Sequence, residues 1–143
     1  MTDLHAGVPG IGAPAPTTFE EFWPFFLSQH LHPRTRAAHA GGLTMAMASV
    51  VGLLFRRPRR RWIGLGLAGG ALQVASHYLW EGNSPTDVDR LARSPWWIVR
   101  ADVRMVRDIY LGRVDRDVRE VRAALGMSPG DATWSRARRQ QAA

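Results

Sequence analysis

The sequence predicts an all-α fold: an integral-membrane helical hairpin flanked by interfacial amphipathic helices. Two observations carry this reading. The chain holds two apolar blocks of 19 residues, Ala37 to Phe55 and Trp62 to Trp80. Each is close to the ~20 residues that a helix needs to cross the hydrocarbon of a bilayer. Only Arg56 to Arg61 separates them, five arginines and one proline. So short a charged connection joins antiparallel neighbours, and in lipid only a helix satisfies its own backbone without closing a barrel.

The remaining elements follow in order. Residues 1–16 are rich in Gly, Pro and Ala and read as a disordered lead-in, with His5 given no role. Thr17 or Thr18 can cap a helix whose first turn carries Glu20 and Glu21. Phe19, Phe22, Trp23, Phe25, Phe26 and Leu27 make this helix aromatic but too short to span, so it is expected to lie in the membrane interface. Pro33 disfavours helix at His32 and ends it. A long helix over residues 34–55 and the second apolar block follow. Gly66 and Gly70 form a small-xxx-small pair expected to let the two helices approach closely. A polar loop with two prolines leads to Trp96, from which apolar residues recur at helical spacing to Gly112. The paired tryptophans beside arginines predict a second interfacial helix. Asp115 to Leu125 reads as a helix of mixed charge, and the tail from Ser128 as loose. The division is thus a lead-in over 1–16, a membrane domain over 17–112, and a charged C-terminal helix and tail over 113–143.

Composition narrows the function classes. There is no cysteine, which excludes disulfides and thiolate metal sites. The nineteen positive residues are all arginine, and the net charge is +7. Five of them lie in the hairpin turn and a dozen follow Trp80. Arginine flanking apolar blocks suits anionic lipid headgroups, so the expected partner is a membrane and not a nucleic acid. No cleavable signal peptide is evident in residues 1–16. Orientation stays open, because Arg34, Arg36, Arg90, Arg93 and Arg100 at the other end match the five arginines of the turn.

The hairpin has a geometric consequence for two histidines. His39 lies 19 residues before Pro58 and His77 lies 19 after it. At the rise of an α-helix both stand ~28 Å from the turn, level on adjacent helices at the open end. His30 precedes the first long helix. Glu81 lies four residues after His77, on the same face if the helix continues, with Asn83 and Asp102 further on. Ionisable residues at the edge of an apolar span point to function. Three imidazoles with one or two carboxylates can bind Fe, Zn or Mn, and N/O ligation with open positions suits non-haem Fe(II).

Three motifs carry a family resemblance: Phe19 to Gly42 (FEEFWPFFLSQH, then Arg36, His39 and Gly42), His77 to Pro85 (HYLWEGNSP) and Pro95 to Met105 (PWW, Asp102, Met105). In order and spacing these resemble the DUF962, or Mpo1-like, family over about residues 19–112. The family is a small integral-membrane group. Its characterised yeast member is an Fe(II)-dependent dioxygenase of the endoplasmic reticulum that shortens 2-hydroxy fatty acids by one carbon. The resemblance implies Fe(II) held by His30, His39 and His77, with Glu81 or Asp102 completing the shell or orienting a histidine. It implies a long-chain 2-hydroxy fatty acid or related lipid as substrate, Arg36 as partner for its carboxylate, and Asn83 and Trp96 as further binding residues. The family usually has Asn at the position of His32 and Arg at that of Ser84. A bacterial inner membrane is the expected location, and oligomeric state is left open. The alternative is a non-enzymatic small membrane protein that binds lipid headgroups or a partner protein; bound metal separates the two.

Overall fold

The computed structural model describes residues 16–55, 58–83, 95–128 and 131–133. The chain is all-helical among these residues: α1 (Phe19–Ser28), α2 (Pro33–Phe55), α3 (Arg59–Ser76), a single π turn (His77–Glu81), α4 (Pro95–Tyr110) and α5 (Val114–Ala124). The lead-in over 1–15, Arg56 and Arg57 of the turn, the loop over 84–94 and the tail from 134 lie outside the described residues.

Helix α1 starts where its sequence allows. The Thr18 hydroxyl accepts from the Glu21 backbone N–H at 3.2 Å, and the Glu21 carboxylate accepts from Thr18 N–H at 3.3 Å. This capping box satisfies two donors that a helix start leaves unpaired. Pro33 opens α2, where its missing N–H costs nothing.

Helix α1 does not lie on a surface, in contrast to the interfacial expectation. Phe22, Trp23, Phe25, Phe26 and Leu27 are all buried. They pack with Ala101 and Met105 of α4 and Val114, Val118 and Val121 of α5. The Trp23 indole N–H donates to Asp117 of α5 at 3.2 Å, and the Arg104 guanidinium of α4 lies 4.2 Å over the Trp23 ring. The physical reason is that α4 and α5 each bring an apolar face to the same aromatic helix. Removing rings of this size from water stabilises by roughly 1.5–3 kcal/mol each. The C-terminal helix of mixed charge thus forms a wall of the core. Helix α4 keeps the expected two-sided character, with Trp96, Val99, Val103 and Tyr110 exposed.

Helices α2 and α3 pack side by side, antiparallel. Of the two, only Pro33–Phe55 is long and apolar enough to cross a membrane. Helix α3 opens on Arg59, Arg60 and Arg61, ahead of the second block, and the end of that block, from His77, continues it as a π turn; a second spanning helix is thus not shown. The glycines at the contact also differ from the expected pair. A Cβ at Gly66 would meet the Ser49 hydroxyl and one at Gly69 the Gly42 carbonyl, whereas one at Gly70 would meet nothing. The spacing of three, not four, fits the side of α3 that faces α2. Ser49 adds a hydrogen bond across the pair, donating to the Trp62 carbonyl at 2.6 Å.

Candidate metal centre

His30, His39 and His77 meet at the open end of the α2–α3 pair. One ligand atom from each lies within 4.8 Å of the others, and all three residues are buried. The chain delivers them by separate routes. His30 sits in the link between α1 and α2, its ring stacked on Phe26 at 4.2 Å. His39 lies in the second turn of α2. His77 begins the π turn, which Gly82 closes with a left-handed φ of 66°. Gly82 N–H and Asn83 N–H both donate to the His77 carbonyl, folding the chain back over the imidazole. A side chain other than Gly at position 82 would be strained in this conformation.

Each imidazole is held by its Nδ1. His30 Nδ1 donates to the Phe26 carbonyl at 2.7 Å, His39 Nδ1 to the Asp102 carboxylate at 2.8 Å, and His77 Nδ1 to the Asn83 side-chain oxygen at 3.0 Å. With the proton on Nδ1, each Nε2 carries a lone pair. Those lone pairs point at one another: His39 Nε2 and His77 Nε2 are 3.2 Å apart, and His30 Nε2 is buried without a hydrogen-bond partner. Converging lone pairs in a buried site repel unless a cation lies between them. Anchoring the far ring nitrogen on a carbonyl or carboxylate is how proteins orient metal-ligating histidines. Burial, followed by the neighbouring His39 and His77, pushes the His30 imidazole well below its ordinary range, so it is neutral and available as a ligand at neutral pH. The three histidines can therefore hold a metal ion. The donor set is nitrogen without sulfur, which fits Fe(II), Zn(II) or Mn(II) and leaves coordination positions free.

The other residues singled out from the sequence are placed differently from one another. Asp102 holds His39 from behind and is not one of the converging ligands. Glu81 accepts from the His32 backbone N–H at 2.6 Å, so it secures the entry to α2 and does not face the histidines. Arg36 donates through Nη1 to the His30 and Leu31 carbonyls, and through Nη2 to Asp115 of α5 at 3.0 Å. Its guanidinium clamps the link that carries His30. Both ends of the Asn83 amide are engaged, one by His77 and the other by Gln29. Trp96 is 71% exposed in the first turn of α4. Gln29, Phe26 and Asp115 were not legible as parts of this arrangement, since their contribution depends on contacts set by the fold.

Comparison with known proteins gives the family of the chain. A family model described as "2-hydroxy-palmitic acid dioxygenase Mpo1-like" matches residues 16–114. The chain belongs to the Mpo1-like family. No curated protein and no solved structure matches the chain. The Mpo1-like segment contains all three histidines, Asp102 and Asn83, and it ends where α5 begins. The Arg36–Asp115 and Trp23–Asp117 contacts therefore tie the Mpo1-like segment to a helix beyond it.

Glu81 gives a pH-dependent prediction. Burial pushes its carboxyl up to about 7, against the smaller opposing effect of the His32 N–H. A folded-state value above the unfolded one means that the folded chain binds the proton more tightly. Its contribution to stability is full below the unfolded value of 4.5 and is lost as pH rises towards 7. Glu81→Gln should lack this dependence. The stability of the wild type relative to Glu81→Gln is expected to fall by on the order of 3 kcal/mol between pH 4.5 and 7.5. Denaturant titrations of both proteins across that range measure it, and parallel pH profiles would refute it.

Proposed function

We propose that the chain is a membrane-embedded, Fe(II)-dependent dioxygenase that shortens a long-chain 2-hydroxy fatty acid, or a related hydroxylated lipid, by one carbon. The observation that carries the reading is the convergence of three Nε2 lone pairs, each imidazole fixed from behind by an acceptor. The family description supplies the substrate class. The overall change balances without an external reductant: the 2-hydroxy acid and one O₂ give the acid one carbon shorter, CO₂ and water.

Iron(II), when bound by His30, His39 and His77, supplies the activation of O₂. The residues of the chain do the rest. Asp102 keeps the proton of His39 on Nδ1 and stabilises positive charge on that ring. Phe26 and Asn83 do the same for the tautomers of His30 and His77. The aromatic layer of Phe22, Phe26 and Trp97 shields this end of the core from water. Three histidine ligands would leave room at a bound metal for the carboxylate and 2-hydroxyl of the substrate, and holding both groups would fix the carbon that is attacked. A plain fatty acid of equal length is therefore expected to be a poor substrate.

The surface supports the membrane part of this reading. Met47, Val50, Val51, Leu54 and Phe55 of α2 and Ile63 and Leu67 of α3 are all more than half exposed. An apolar face of this extent is covered in a working protein. Arg59, Arg60 and Arg61 at the end of the pair suit a headgroup layer. Bacterial inner membrane is the location proposed. The protein is expected to remain in the membrane pellet through washes with high salt and alkaline carbonate; release into the supernatant would remove the membrane part of the reading.

Activity is tested by mass spectrometry of products after incubation with Fe(II), O₂ and 2-hydroxypalmitic acid. The expected product is the acid one carbon shorter, with matching O₂ consumption. The His30/His39/His77→Ala triple variant should form none. Equal turnover by that variant, or no shortened acid from the wild type at any Fe(II) concentration, would overturn the proposal in favour of a non-enzymatic membrane protein.

A further inference from the structure

We propose that Ser28 and Gln29 are positioning residues that set the tautomer of His77 through a one-way chain of hydrogen bonds, and so aim its Nε2 lone pair at the metal centre. This rests on the three-histidine reading of the site but not on the reaction assigned to it.

The chain starts at a group that can only accept. Ser28 Oγ donates its single proton to the Phe25 carbonyl at 2.7 Å. Its oxygen can then only accept from its other neighbour, the Gln29 amide, which must present Nε2 at 3.1 Å. That choice turns Gln29 Oε1 towards Asn83, where it accepts from Nδ2 at 2.8 Å. Asn83 is thereby left with Oδ1 facing His77, and His77 must donate from Nδ1 at 3.0 Å. An asparagine amide can present either end to a neighbour with little change of shape. Without Gln29 as a fixed acceptor, Asn83 is free to turn its NH₂ to His77. The Nδ1 lone pair would then accept, and the proton would move to Nε2, where it blocks ligation. His30 and His39 need no such device, because a backbone carbonyl and a carboxylate have no donor end.

The test uses the metal-free full-length chain in detergent, with ¹⁵N-labelled imidazoles. His77 is assigned by the loss of its signals in His77→Ala. In the wild type its Nδ1 should have the shift of a protonated ring nitrogen and its Nε2 that of an unprotonated one. In Gln29→Leu a population protonated at Nε2 should appear, and Co(II) affinity should fall about 10–100-fold, as for other changes behind a ligating histidine. Gln29→Glu should keep both properties, because a carboxylate still accepts from Asn83. Adding Asn83→Asp to Gln29→Leu should restore the tautomer and the Co(II) affinity, since an aspartate has no donor end to turn. Ser28→Ala frees the Gln29 flip and should shift His77 in the same direction as Gln29→Leu; it serves as the test if Gln29→Leu does not fold. An unchanged His77 tautomer in Gln29→Leu and in Ser28→Ala, or a loss in Gln29→Leu that Asn83→Asp fails to rescue, would overturn the proposal. Neither readout needs O₂ or a fatty acid, so a failure of the dioxygenase reading leaves this result standing, and the reverse holds as well.

Discussion

One metal ion per chain is expected in the wild-type protein loaded anaerobically with Fe(II) or with Co(II), and none in His30→Ala, His39→Ala or His77→Ala. Each substitution removes one of three lone pairs that lie within 4.8 Å of one another. The affinity loss should exceed the ~10–100-fold typical of a residue behind a ligand. Asp102→Asn supplies the comparison. It keeps an oxygen beside His39 Nδ1 but loses the charge, and its loss should stay within that smaller range. Double histidine variants should bind no worse than the singles, because ligands of one site act as a unit. His5→Ala should bind like the wild type. Elemental analysis and Co(II) titration read the result. Stoichiometric metal in His77→Ala would remove that residue from the site, and with it the convergence on which the functional reading stands.

The second large effect concerns the spacing of α2 and α3. Gly42→Ala and Gly69→Ala are each expected to cost about 1–3 kcal/mol or more and to weaken metal binding as well. A Cβ at Gly69 would stand 2.6 Å from the Gly42 carbonyl oxygen, and one at Gly42 would stand 2.6 Å from the Gly69 carbonyl oxygen. Both obstacles are helix backbone, which cannot step aside as a side chain does. The helices must separate, and Gly42 lies just under one turn from His39. A shift there moves His39 away from His77, whose ring nitrogens are 3.2 Å apart. Gly64→Ala and Gly70→Ala are the controls. Nothing lies within 4 Å of a Cβ at either position, so they should be neutral or stabilising by up to ~1 kcal/mol through helix propensity. Thermal unfolding in detergent, paired with Co(II) affinity, distinguishes the two sets. Equal behaviour of Gly69→Ala and Gly70→Ala would show that the helices are not in the contact described.

The sequence alone determined the features that depend on local order along the chain. Apolar runs, caps and proline positions marked the five α-helices found among the described residues to within a few residues. Equal distances from Pro58 placed His39 and His77 at one level, because a hairpin's register follows from residue counting. Motifs quoted from three separate stretches pointed to the Mpo1-like family. What the sequence did not contain was rotation about each helix axis and the identity of the partner faces. Those decided that Gly69, not Gly70, meets α2, since a difference of one residue turns a side chain by ~100°. They decided that α1 is a core helix, because its aromatic residues look the same whether covered by lipid or by α4 and α5. They decided that Asp102 stands behind His39, that Glu81 turns to the start of α2, and that Arg36 is engaged by two carbonyls and Asp115. Hydrogen bonds between residues far apart in the chain leave no period in the sequence. Only the tertiary structure turns three histidines, recognisable one by one, into a set of lone pairs aimed at a common point.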